Sequence, residues 1–75
     1  MRVGVIASDG TFSIHEAETV EYVDGELHAT VNGKDIVLAE LTPEQARVVF
    51  RYLAEGGVVR IYLDEHPMIY GGSER

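Results

Sequence analysis

The apolar residues change their spacing along the chain, from alternation in the first half to a helical period in the segment LTPEQARVVFRYLAEGG. Thr42 is a suitable N-cap for that helix, Pro43 falls at its first position, and Gln45 completes a capping box. Gly56 is expected to supply the left-handed residue that ends it. These signals predict one helix over residues 43–55.

The predicted helix has one apolar stripe and two apolar residues outside it. Because the stripe repeats every 3.6 residues, it is expected to lie on a sheet. Its members are Ala46, Val49, Phe50, Leu53 and Ala54. Val48 and Tyr52 lie one turn apart and well off the stripe, so a flat sheet would leave both partly exposed.

Three dipeptides in the first half of the chain predict tight turns between strands, namely Asp9-Gly10, Asp24-Gly25 and Asn32-Gly33. Each suits a type I′ turn, which requires positive φ at both central residues and matches the twist of the flanking strands. Consecutive strands joined by such turns pair with their neighbours. The pattern therefore predicts an antiparallel β-meander.

Strand registers counted from the second and third turns agree with each other. The second turn puts Val20 opposite Ala29, and the third puts Ala29 opposite Ile36 and Leu27 opposite Leu38. All of these residues then share the inward face. The residues expected on the outward face include Glu21, His28 and Val37.

The first turn, read as a two-residue loop, gives a register for the first hairpin in which Val5 lies opposite Ile14. The face expected to join the core collects Val3, Val5, Ala7, Phe12 and Ile14. The opposite face would carry Gly4, Ile6, Ser13 and His15. Residues 12–23 are interpreted as one long strand that bends near its middle.

Together these elements predict a single α+β domain. Its sheet is an antiparallel meander of four to five strands with one helix packed on one face, and a C-terminal strand over residues 58–63 returns through a right-handed crossover. After Pro67 comes a short apolar patch, which either docks along a sheet edge or awaits a partner. Residues 71–75 are expected to form a flexible tail.

Charge and composition narrow the range of partners. The 75 residues carry a net charge of -7 and contain no cysteine, which excludes disulfides and thiolate metal sites. Acidic residues dominate the predicted sheet, whereas Arg47, Arg51 and Arg60 make the helix side mildly basic. The overall charge argues against direct nucleic acid binding. No apolar run reaches the roughly 18 residues of a membrane span, and the chain is expected to be cytoplasmic.

The chain has few residues that suggest catalysis. His15, His28 and Glu21 would form a zinc set only if one outer face brought them together, and Asp64 with His66 is a second candidate group. No phosphate-binding glycine motif, nucleophile motif or metalloprotease motif occurs, and no cofactor is expected. Isolated charged pairs of this kind are usually solvated surface contacts.

Protein association is the preferred interpretation, with a homodimer or another protein as partner. A small non-catalytic module with an accessory, regulatory or inhibitory role would use exposed apolar residues for this purpose. The candidate interface residues are Val48, Arg51, Tyr52, Met68, Ile69 and Tyr70. A second interpretation is an acidic surface that mimics nucleic acid phosphates and inhibits a basic protein. Its residues would be Glu16, Glu18, Glu21, Asp24, Glu26 and Asp35.

Overall fold

The computed structural model describes residues 1–64 and 66–71, and this part of the chain forms seven strands and one helix. The elements are β1 Arg2–Ile6, β2 Phe12–Glu16, β3 Thr19–Val23, β4 Glu26–Val31, β5 Lys34–Glu40, α1 Pro43–Gly56, β6 Val58–Tyr62 and β7 Met68–Gly71. The α+β class is therefore confirmed. Of the expected tail, Gly71 ends a strand, and residues 72–75 lie outside the described residues.

The strands form two sheets, so the single meander is only partly correct. Sheet A has the order β2-β1-β6-β7 and is mixed, because β1 pairs in parallel with β6 and the other pairs are antiparallel. Sheet B has the order β3-β4-β5 and is the antiparallel meander. The helix therefore connects a strand of sheet B to a strand of sheet A.

The single bent strand over residues 12–23 is wrong, because the chain changes sheets at Ala17. The Ala17 N–H donates to the carbonyl oxygen of Met1 at 2.7 Å, which continues the pairing of sheet A. The next N–H, that of Glu18, donates to the carbonyl of Thr30 in sheet B at 2.8 Å. Ala17 itself is buried. Adjacent peptide groups thus hydrogen-bond to different sheets, which a single strand could not do.

The helix begins as its sequence predicts. Thr42 Oγ1 accepts from the Gln45 N–H at 3.2 Å, and Gln45 Oε1 accepts from the Thr42 N–H at 2.9 Å, which is the predicted capping box. The end differs by one residue. Gly57, with φ 71°, adopts the left-handed conformation assigned above to Gly56, and its N–H donates to Leu53 O at 2.8 Å.

The buried side of the helix is rotated from the predicted stripe. Val49 and Leu53 are buried as expected, but Phe50 is exposed. Val48 and Tyr52 are partly buried instead. The cause is the position of the helix over β6 and β7, with the edge strand β7 beside Tyr52. The predicted flat sheet had no strand in that place.

Sheet B confirms two predicted turns and most of the predicted register. Asp24 and Asn32 have φ of 50° and 52°, and each is followed by a glycine with positive φ, as a type I′ turn requires. Ala29 lies opposite both Val20 and Ile36. The pairing of Leu27 with Leu38 is wrong. A bulge shifts the register so that Leu27 lies opposite Ala39.

The first hairpin is shifted by one residue from its predicted register. The Gly10 N–H donates to Ala7 O at 2.9 Å and the Ala7 N–H donates to Thr11 O at 2.8 Å, which leaves three residues in the loop. Gly10 has φ 91°, as expected for a type I turn closed by a left-handed glycine. Because side chains alternate between faces, the extra loop residue turns Phe12 and Ile14 outward and His15 inward.

The core lies between the two sheets and beneath the helix. Sheet A contributes Val3 and Ile61, sheet B contributes Leu27, and the helix contributes Val49; each is fully buried. The Tyr22 hydroxyl donates to the carbonyl of Leu41 at 2.7 Å at the start of the helix. Within residues 1–64 and 66–71, no helix has the length and apolar character needed to cross a membrane.

Candidate functional site: the outer face of sheet A

The side of sheet A that points away from sheet B and the helix is called here the outer face of sheet A. The strand registers place its residues without ambiguity, because each pairing partner lies on the same face. Its members are Arg2, Gly4, Ile6, Phe12, Ile14, Glu16, Val58, Arg60, Tyr62, Met68 and Tyr70.

This face collects large apolar side chains in contact with solvent. Of the nine exposed large hydrophobic residues in the described part of the chain, five lie on it. Ile14 at 56% and Met68 at 54% exposure stand on the two edge strands. The others are Phe12, Tyr62 and Tyr70. Single exposed hydrophobics are ordinary on soluble proteins, whereas a contiguous group on one sheet face is typical of an interaction site.

The two tyrosines and the methionine form an ordered cluster at one end of the face. The rings of Tyr62 and Tyr70 meet edge to face, with centroids 5.3 Å apart and planes at 88°. The Tyr70 hydroxyl donates to Met68 Sδ at 3.6 Å. These contacts restrict the side chains before any partner binds, which lowers the entropy that binding must overcome.

A shallow niche lies at the other end of the face, floored by Gly4. A Cβ atom built on Gly4 would lie 3.4 Å from Arg60 Cγ and 3.7 Å from the ring of Phe12, so both side chains lie across the glycine. Ile14 and Val58 complete the niche. A side chain at position 4 would fill part of this depression.

The two arginines of the face differ in their partners. Arg2 is held by Glu16, with Nη2 2.6 Å and Nε 2.7 Å from Oε1 of that carboxylate. Arg60 makes no hydrogen bond or ion pair with any residue that the structure describes. The face therefore presents one unneutralised guanidinium between apolar surroundings.

The six predicted interface residues are divided between two sides of the molecule. Met68 and Tyr70 lie on the outer face of sheet A. Tyr52 and Ile69 pack against the core, and Val48 lies near them beside β7. The Tyr52 ring covers Gly71, because a Cβ atom on that glycine would lie 2.5 Å from Cε1 and closer still to Cγ and Cδ1.

The remaining predicted residue, Arg51, lies with its guanidinium carbon 5.6 Å from the centroid of the Tyr52 ring. This is a cation–π contact on the exposed side of the helix. Arg51 is therefore separated from Met68 and Tyr70. The sequence missed Phe12, Ile14, Arg60 and Tyr62, and the first two would have been found by reading the first loop as three residues.

The predicted zinc set is not assembled. His15 lies in sheet A opposite Val3 on the inward face, whereas His28 lies on the outward face of sheet B. His28 is opposite Glu21 as predicted, but its ring nitrogens are near Asp35 at 2.9 Å and Glu26 at 3.4 Å. The hydrogen bond with Asp35 raises the pKa of His28.

Among residues 1–64 and 66–71, no three histidine, aspartate or glutamate side chains are grouped closely enough to hold a metal ion. The second candidate pair is also separated, because Asp64 borders a depression beside Arg60 while His66 borders one beside Asp24. The predicted catalytic groups therefore do not converge.

The acidic residues are divided as well. Glu16 belongs to sheet A, where Arg2 holds it. The outward face of sheet B, called here the outer face of sheet B, carries Thr19, Glu21, Val23, Glu26, His28, Thr30, Asp35 and Val37. Val23 and Val37 are exposed among these polar residues, at 46% and 51%.

Comparison with known proteins finds no family, no curated protein and no solved structure that matches this chain.

Proposed function

We propose that the chain is a small non-catalytic protein-binding module that self-associates through the outer face of sheet A. The observation that carries this proposal is the contiguous group of exposed apolar side chains on that face, from Ile14 at one edge to Met68 at the other. Covering them removes apolar surface from water, at roughly 25 cal/mol per Å².

The strand order supports the same proposal. β1 and β6 form a parallel pair at the centre of sheet A. Parallel strands are usually covered on both faces and carry apolar residues on both. Here the inner face carries Val3, Val5 and Ile61, and the outer face carries Ile6 and Tyr62. Sheet B and the helix cover the inner face, so a partner would supply the missing layer.

The size of the face sets the expected affinity. Four strands about 4.8 Å apart and five residues of about 3.4 Å each give a projected area of roughly 300 Å². A standard interface buries about 800 Å² on each partner. An interface confined to this face would therefore be weak, and we expect association that depends on concentration in the micromolar to millimolar range.

Sedimentation velocity from about 10 μM to about 1 mM tests the proposal over the range expected for a weak interface. We expect the mean sedimentation coefficient of the wild type to rise with concentration. Ile14→Glu and Met68→Glu each place a charge on the outer face of sheet A and should lower the association constant at least tenfold. Both residues are more than half exposed, so the fold should tolerate these changes.

Phe50→Glu is the matched control, because Phe50 is an exposed hydrophobic residue on the helix and not on sheet A. It should leave the association unchanged. Circular dichroism melting of every variant separates unfolding from loss of binding. A wild type that stays monomeric at all concentrations, or one whose association only Phe50→Glu abolishes, would contradict the proposal.

Base stacking is the competing use of the same surface, since Phe12, Tyr62 and Tyr70 accompany Arg60 there. The net charge of -7 disfavours it, because nucleic acid phosphates are repelled. We expect no change in fluorescence anisotropy when the protein is added to a labelled single-stranded oligonucleotide at low salt. Binding that Tyr70→Ala weakens would favour the stacking function instead.

A further inference from the structure

Arg60 lies within an apolar surface and has no charged partner there. It is on β6, the third strand of sheet A, with Gly4 opposite it on one side and Tyr70 on the other. Its aliphatic part lies over Gly4, and its guanidinium finds no carboxylate among the described residues. A partner that covers this face must therefore bring a negative charge, or the arginine is buried without compensation.

Two copies of the outer face of sheet A do not supply that charge well. The carboxylate within the face is that of Glu16, and Arg2 already holds it at 2.6 Å. Asp64 stands at the rim, beyond the end of β6. A symmetric pairing of these faces would bring two Arg60 side chains into an interface that offers each of them only the rim carboxylate.

The outer face of sheet B has the complementary chemistry. Its carboxylates include Glu21, Glu26 and Asp35. Val23 and Val37 add exposed apolar surface between them. A face that combines acidic and apolar side chains fits a face that combines an unpaired arginine with aromatic and aliphatic ones.

We propose that self-association is head to tail, with the outer face of sheet A of one copy against the outer face of sheet B of the next. This inference rests on the proposed function and names the second surface that the interface uses. Because the two sheets share one core between them, their outer faces point away from each other. Such contacts do not close in a dimer, so they extend into a ring or a chain.

Two blocking variants test this arrangement. Met68→Glu blocks the outer face of sheet A, and Val37→Arg blocks the outer face of sheet B. Each variant alone should be monomeric where the wild type associates. An equimolar mixture should form a 1:1 dimer that grows no further with concentration, because one intact copy of each face remains. Sedimentation velocity of the separate and mixed proteins measures all of these species.

Ile14→Glu and Val23→Arg form a second pair of blocking variants, to be used if melting shows that one of the first pair is unfolded. Arg60→Gln tests the charge directly and should weaken association about tenfold or more, since a hydrogen bond to a charged group is lost. Val37→Ala keeps an uncharged residue at its position and should still associate.

The outcomes separate the inference from the function on which it rests. If Val37→Arg still self-associates while Met68→Glu does not, two copies of the outer face of sheet A pair with each other; the head-to-tail arrangement is then wrong and the proposed function stands. A mixture of the two blocking variants that stays monomeric also overturns the inference. A wild type that is monomeric throughout removes both.

Discussion

Replacing Gly71 by alanine should loosen β7, because Tyr52 occupies the space that the new methyl group needs. The Cβ atom would lie 2.5 Å from Cε1 of Tyr52, with two further ring atoms closer. Carbon atoms in contact prefer about 3.5–4.0 Å, so the ring or the strand must move by more than about 1 Å. Overpacking of this kind costs about 1–3 kcal/mol. For a domain of this size that lowers the melting temperature by roughly 5–20 °C.

Thermal and urea denaturation, followed by circular dichroism, would measure this cost. Gly4→Ala is the matched control in the same sheet, since its Cβ atom would meet only the flexible stem of Arg60 and the edge of Phe12, and it should cost less than about 1 kcal/mol. A double-mutant cycle with Tyr52→Ala isolates the contact. Equal stability of Gly71→Ala and the wild type would refute the placement of Tyr52 on β7.

Three further results are expected. Thr42→Ala removes the capping hydroxyl and should cost about 1 kcal/mol in urea denaturation, more than Thr19→Ala. Asp35 raises the pKa of His28 above 6.5, so the stabilisation relative to His28→Gln should be complete below pH 6.5 and fade as pH rises through the raised value; melting curves of equal difference at acid and alkaline pH would contradict this. Deleting Ser8 should leave a two-residue Asp9-Gly10 loop with the same strand pairing, and a melting temperature close to that of the wild type; an unfolded variant would refute the three-residue loop.

The parts of the fold that the sequence predicts correctly depend on local geometry. Asp24-Gly25 and Asn32-Gly33 determine sheet B because a type I′ turn fixes the register of both flanking strands. Thr42 and Gln45 likewise fix the start of the helix through bonds made within one turn. In both cases the residues that carry the signal are the residues that make the contacts.

The errors arise where distant partners decide the outcome. Nothing near Ala17 shows that its N–H pairs with Met1 while the next one pairs with Thr30. The burial of Tyr52 depends on β7, a strand that the sequence leaves as an apolar patch after Pro67. Such choices are settled by packing between segments far apart in sequence, which periodicity alone does not encode.

The proposed interface depends on one of these errors more than on the others. Asp9-Gly10 has the sequence of a two-residue turn, yet Asp9 keeps a negative φ and the loop includes Ser8. With two residues in the loop, Phe12 and Ile14 would join the core and the outer face of sheet A would keep only its tyrosine and methionine end. The third residue reverses that parity and places an apolar row along the edge strand. Since the core is already filled without Phe12 and Ile14, their exposure is a product of the loop geometry, and association is the process that would bury them.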